Sequence, residues 1–150
     1  MISKLKNIIY IFLPLIGGII VSLIIGKNLD YNNLIKPPLS PPSIVFPIVW
    51  TLLYLLIGIS FYSYKKNNSS EITETYYYLQ LVINYFWSIF FFLFKWNFFS
   101  IIWILLLDIV IILLLSRYKK ENKISYYLII PYLIWCLFAT YLTIGIYILN

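Results

Sequence analysis

The sequence predicts an all-α membrane protein, a bundle of five transmembrane helices whose proline-rich first loop acts as a lid. Three observations carry that expectation. Of 150 residues, 63% are hydrophobic and only 11% charged, against roughly 25% charged in a soluble domain. The charges gather in short breaks between five apolar stretches, each at or near the roughly 20 residues that cross a bilayer as a helix. Runs such as IFFFLF at 89–94 and IIWILLL at 101–107 lack the period-two alternation a transmembrane β-barrel would need. One domain over residues 1–150 is expected, with spans near 7–26, 42–64, 75–94, 97–117 and 124–149.

The first span has no charge and no small-residue cleavage exit, so it is expected to stay in the mature chain rather than leave as a signal peptide. Gly18, Ser22 and Gly26 recur every fourth residue on it, a face suited to close approach within the bundle or between protomers. The loop that follows carries Pro37, Pro38, Pro41 and Pro42. Each lacks an N–H donor and restricts the residue before it, so the segment reads as a shaped cap at the membrane mouth.

In the second span Phe46, Trp50, Tyr54 and Gly58 fall close to one helical face, with Pro47 expected to bend it. The third places Gln80, Asn84 and Ser88 at i, i+4 and i+8, flanked by Trp87. Such a stripe suits either interhelical hydrogen bonding or a ligand pocket. The fourth holds Asp108, the one carboxylate within a span, which should face the interior as a proton carrier, a ligand anchor or a packing partner. The fifth sets Pro131, Trp135 and Ala139 at i, i+4 and i+8. Trp50 and Trp135 beside small residues would wall a cavity for a flat hydrophobic ligand, although tryptophans also populate interfacial belts.

Lys4, Lys6, Lys65, Lys66, Arg117, Lys119, Lys120 and Lys123 lie on the side of the N-terminal tail and the second and fourth loops; Lys27, Lys36 and Lys95 lie opposite. This asymmetry predicts a cytoplasmic N-terminus and an outside C-terminus. It also accounts for most of the +6 charge, leaving no basic soluble face for nucleic acid. Cys136 is the lone cysteine and there is no histidine, which argues against a disulfide framework and an all-protein transition-metal site. No metal and no required cofactor are expected.

Three blocks carry a resemblance: KPPLSPPSIVFPIVWTLLYLLIGISFY at 36–62, INYFWSIFFF at 83–92 and PYLIWCLFATYL at 131–142. In this order over five spans, the chain resembles the translocator protein family, also called the peripheral benzodiazepine receptor or tryptophan-rich sensory protein family. The resemblance implies a bundle, usually a homodimer, that binds porphyrins such as protoporphyrin IX or haem beneath the first loop. It assigns ligand contact to Trp50, Asn84, Trp87, Ser88, Trp135 and Ala139, with Tyr31, Pro41 and Pro42 from the loop. Phe46, Tyr54 and Asp108 join them on the spacing and burial arguments above. Bacterial members are associated with light- and oxygen-dependent protoporphyrin degradation, for which Trp50 and Trp135 would be catalytic. The chain departs from the family pattern at Leu39 and Ile44, often tryptophans, and at Ile48, where a second proline is usual. No Lys or Arg follows Tyr141 or Tyr147 to complete the sterol pattern of animal members.

Three functions fit these residues. The first is a receptor, sensor or carrier for tetrapyrroles and other lipophilic molecules, with membrane lipid around it. The second is a photo-oxidative enzyme. The third is a structural or regulatory membrane partner acting through the Gly18, Ser22 and Gly26 face.

Overall fold

In a bilayer no water is present to bond stray amides, so each apolar stretch must close its own backbone hydrogen bonds. The computed structural model, which describes residues 2–26, 30–95 and 97–150, does this with helices α1 (Ile2–Ile25), α2 (Val45–Asn67), α3 (Glu71–Ser88), α4 (Asn97–Glu121) and α5 (Lys123–Leu149). There is no strand among the described residues. All five helices are long and apolar enough to cross a membrane, and the chain is a multi-pass integral membrane protein. Lys27, Trp96 and the side chains of Lys4 and Asp30 lie outside the described residues.

The helices neighbour one another in the order α1, α2, α5, α4, α3, and α3 returns to α1 to close the ring. Lipid tails are as apolar as leucine, so packing and hydrogen bonds, rather than hydrophobicity, hold such a bundle together. Between α2 and α3, Phe61 and Tyr77 stack with centroids 3.8 Å apart and planes at 5°. Gly58 lets α2 meet the Ile11 carbonyl of α1 so closely that any Cβ there would overlap backbone. The Tyr85 hydroxyl of α3 donates to the Pro14 carbonyl of α1 at 2.7 Å.

Polar side chains lock the end where α2 and α4 finish. Arg117 donates to Ser70 Oγ at 3.0 Å, Thr73 Oγ1 at 3.1 Å and Glu121 Oε1 at 3.1 Å. Asn122, the sole residue between α4 and α5, accepts from the Ser125 amide at 3.1 Å and donates to the Ser63 carbonyl at 3.1 Å. One asparagine thus caps α5 and ties it to α2.

Two expectations about α2 are corrected. It starts at Val45 rather than 42, because the Pro42 and Ser43 carbonyls first accept from the Val45 and Phe46 amides in a turn, at 3.0 and 3.3 Å. Pro47 therefore sits in the first turn, where a missing N–H costs nothing, and it breaks no interior ladder. A further departure from regular α-helix follows α3, where residues Ile89–Leu93 widen into a π-helix and the Phe94 amide donates to the Ile89 carbonyl at 3.1 Å.

The first loop makes a short 3-10 turn at Asp30–Asn33. Lys36 Nζ then gathers the carbonyls of Tyr31, Asn32 and Leu34 at 3.0, 3.4 and 3.2 Å. Ser40 Oγ donates to the Pro37 carbonyl at 2.6 Å. Leu39 takes a positive φ of 70°, unusual for a branched residue, at the bend between the two proline pairs.

Candidate ligand-binding site

Helix α1 is held against its neighbours up to Gly18, where the Tyr54 ring occupies the space a Cβ would need. Past that point a cavity of about 270 Å³ lies between α1 and α2. Gly18, Val21, Ser22, Ile25 and Gly26 of α1 form one wall; Phe46, Pro47, Trp50 and Tyr54 of α2 form the other. Ser88 of α3 and Phe92 of the π-helix also line it, with Tyr31 and Ser43 from the loop. Among the described residues no charged side chain lines it. Its surface is aromatic and aliphatic with a few hydroxyls, the character of a small-molecule pocket.

Aromatic rings continue behind the wall. Trp50 stands 5.4 Å from Tyr54, 6.3 Å from Trp87 and 6.3 Å from Tyr132, centroid to centroid. Phe46 lies 4.9 Å from Tyr31, 6.1 Å from Phe92 and 6.0 Å from Trp135. Tyr31 is fixed by donating its hydroxyl to the Pro41 carbonyl at 2.8 Å. Burial raises its phenol pKa, a Ser40 hydrogen bond partly offsetting it, so the group remains a donor at neutral pH.

A buried chain of hydrogen bonds backs the cavity. Tyr54 donates to Asn84 Oδ1 at 2.6 Å, Asn84 Nδ2 donates to the Tyr132 hydroxyl at 2.8 Å, and Tyr132 donates to Gln80 Oε1 at 2.8 Å. Asn84, Gln80 and Tyr132 are fully buried. The polar stripe of the third span is thus used across three helices, holding Tyr54 and Tyr132 at fixed heights.

The expected site residues divide accordingly. Tyr31, Phe46, Trp50, Tyr54 and Ser88 line the cavity. Trp87 and Ala139 line a separate void of about 10 Å³, which shares Tyr31 and Phe46 with the larger one. Asn84 is behind Tyr54, and Trp135 is behind Phe46, so of Trp50, Asn84 and Trp135 only Trp50 is on the cavity wall. Pro41 supports Tyr31, and Pro42 opens the turn into α2; neither lines the cavity. Asp108 is on the α4–α5 side, where Thr140 Oγ1 contacts its carboxyl oxygen at 2.5 Å and donates to the Cys136 carbonyl at 2.8 Å.

The α1 wall was missed from the sequence, although Gly18, Ser22 and Gly26 were the signal for it. Gly18 is covered by Tyr54, whereas Ser22 and Gly26 border the cavity and are themselves exposed. Phe92 was also missed, because its direction follows from the π-helix. Two buried indole N–H groups, of Trp87 and Trp135, have no hydrogen-bond partner among the described residues.

The sequence model of the TspO/MBR family matches residues 10–149. The chain is similar to the tryptophan-rich protein TspO of Archaeoglobus fulgidus, 40% identical over 123 residues that cover 80% of this chain and 79% of the relative. It is also similar to the tryptophan-rich protein TspO of Chlorobaculum tepidum, 33% identical over 124 residues, 80% and 78% of the two chains. A tryptophan-rich sensory protein of Cereibacter sphaeroides is 29% identical over 110 residues, 73% and 70%.

Proposed function

Because the chain belongs to the TspO/MBR family and has an aromatic cavity between α1 and α2, we propose that it is a membrane receptor or carrier for porphyrins and other flat hydrophobic molecules. One observation carries the reading: a cavity within the bundle with no charged side chain among its described lining residues and with the Trp50 indole on its wall. A planar macrocycle would be held there by stacking and dispersion. The indole N–H groups of Trp87 and Trp135, unpartnered among the described residues, are buried donors that an acceptor on the ligand would satisfy.

At about 270 Å³ the cavity is just below the roughly 300–1,000 Å³ of drug-sized pockets. A tetrapyrrole would fit once the proline loop rises or Phe46 turns and joins the cavity to the void at Trp87 and Ala139. The loop is therefore proposed as a lid, on a single five-helix domain with its N-terminus cytoplasmic, in a homodimer. The test is titration of protoporphyrin into the protein in nanodiscs, following tryptophan fluorescence. Saturable quenching that weakens about tenfold in Trp50→Ala supports the assignment; no saturable quenching by the wild type overturns it.

A second reading, light- and oxygen-dependent degradation of protoporphyrin, is favoured by the same Trp50 position, which would set an oxidisable indole against the macrocycle. Trp135, behind Phe46, would reach the ligand only after Phe46 moves. Equal loss of porphyrin absorbance in light and dark, or in Trp50→Phe and wild type, would remove this reading while leaving binding intact. A partner acting on the first span would meet Ser22 and Gly26, which are exposed, but not Gly18, which Tyr54 covers.

A further inference from the structure

The first loop is fastened to the far end of α5 by contacts of three different kinds. Tyr141 donates its hydroxyl to the Pro38 carbonyl at 2.7 Å. The Asn150 side chain pairs with the Ile35 backbone in both directions, accepting from its amide at 3.1 Å and donating to its carbonyl at 2.8 Å. Gly145 lies against the Pro37 ring, where an added Cβ would be 2.6 Å from Cγ. These residues follow one another down α5 as their partners run back along the loop. Tyr141 meets residue 38, Gly145 residue 37 and Asn150 residue 35.

Elsewhere the described part of the loop meets the bundle by side-chain packing, with Tyr31 buried in the core and Leu34 against it. Its internal bonds, from Lys36 to three carbonyls and from Ser40 to Pro37, make it one stiff piece without attaching it to a helix. Its cavity side is carried by Tyr31, whose hydroxyl is held within the loop by Pro41 and whose ring meets Phe46 edge-on at 4.9 Å. With α5 released, the stiff piece would be held over the cavity by the packing of Tyr31 and Leu34 alone, and it would rise from the cavity more often.

We propose that Tyr141 and Gly145 of α5, with Asn150 capping its end, form a latch that holds the first loop over the cavity and so sets how long a flat lipophilic ligand is retained. They are positioning residues, since none lines the cavity and each acts through Pro37, Pro38 or Ile35 on Tyr31. The proposal rests on the cavity being the ligand site. Tyr141 and Asn150 are exposed, so losing either leaves no buried group stranded.

Two measurements on the full-length protein in nanodiscs test it. In the absence of ligand, hydrogen exchange of amides 31–40 should quicken about 2- to 10-fold in Tyr141→Phe, the range expected for one hydrogen bond, and more in Asn150→Ala, which loses two. Gly145→Ala is the discriminating variant. It raises the helix propensity of α5 yet pushes on Pro37, so a merely structural role predicts unchanged loop exchange, and the latch predicts faster exchange. With protoporphyrin bound, the three variants should release it faster by similar factors, with association changed less and thermal unfolding of the helices unchanged.

Unchanged loop exchange in all three variants would overturn the latch, as would faster exchange with wild-type release rates. Faster exchange in a protein that never binds protoporphyrin would instead overturn the porphyrin reading while the restraint of the loop by α5 stands. Asn150→Gln and Asn150→Asp should recover part of the protection lost in Asn150→Ala.

Discussion

Replacing Asn84 by leucine removes one side chain that serves two buried phenols. Tyr54 donates to its Oδ1 at 2.6 Å and its Nδ2 donates to Tyr132 at 2.8 Å. The two phenols are affected unequally. Tyr132 still has Gln80 as acceptor at 2.8 Å and loses only one net hydrogen bond, about 0.5–1.5 kcal/mol. Tyr54 has its donor stranded in an apolar surround, about 1–3 kcal/mol. In membrane bundles the reference state also finds partners, and measured interhelical bonds average only about 0.6 kcal/mol with a maximum near 1.7. The lower half of the summed range is therefore appropriate, and Asn84→Leu should cost about 2 kcal/mol.

The assay is a double-mutant cycle of Asn84→Leu with Tyr54→Phe, read by reversible unfolding in mixed micelles. Removing both partners leaves no stranded donor, so the double variant should be about 1 kcal/mol more stable than the sum of the single losses. If the costs add within about 0.5 kcal/mol, as for independent sites, the hydrogen bond is not what holds Tyr54, and Asn84 cannot act on the cavity through it. The cycle also separates two roles for Asn84. A ligand contact would lose affinity in Asn84→Leu whatever stands at 54, whereas a support for Tyr54 would lose little in the Tyr54→Phe background.

Further outcomes follow from the packing. Gly58→Ala would drive a Cβ into the Ile11 carbonyl and should destabilise the α1–α2 contact by about 2 kcal/mol or more, read as a lower unfolding midpoint. Ser22→Leu should fill the cavity from the α1 wall and abolish porphyrin quenching with the midpoint unchanged. Asp108→Asn should keep the contact to Thr140, shift stability by less than about 1 kcal/mol and leave porphyrin affinity as it was, since Asp108 is remote from the cavity wall. Cys136, fully buried in α5, should resist a maleimide reagent until the bundle is unfolded.

Hydropathy made the five-helix class readable residue by residue. The need to bond every backbone amide inside lipid is local, so stretches such as 7–26 and 124–149 declare themselves without reference to any neighbour. The family was legible for a related reason: its blocks are short runs in which proline and tryptophan have fixed places. Much of the cavity's α2 wall, Phe46, Trp50 and Tyr54, was also readable, because one helical period sets those side chains on one face.

Which helix faces which was not written there. On a helix apolar all round, no polar phase distinguishes the side that meets lipid from the side that meets protein, and α1 shows the consequence. Its stripe of small residues was equally fit for a second protomer, and only the tertiary structure seats Gly18 on Tyr54 while leaving Ser22 and Gly26 exposed beside the cavity. The assignment of Asn84 was decided in the same way. Helical spacing put it on the stripe, but the tyrosines that take up its amide come from α2 and α5. Composition and period set what each segment must be, while packing contacts between distant segments decided where space was left among them.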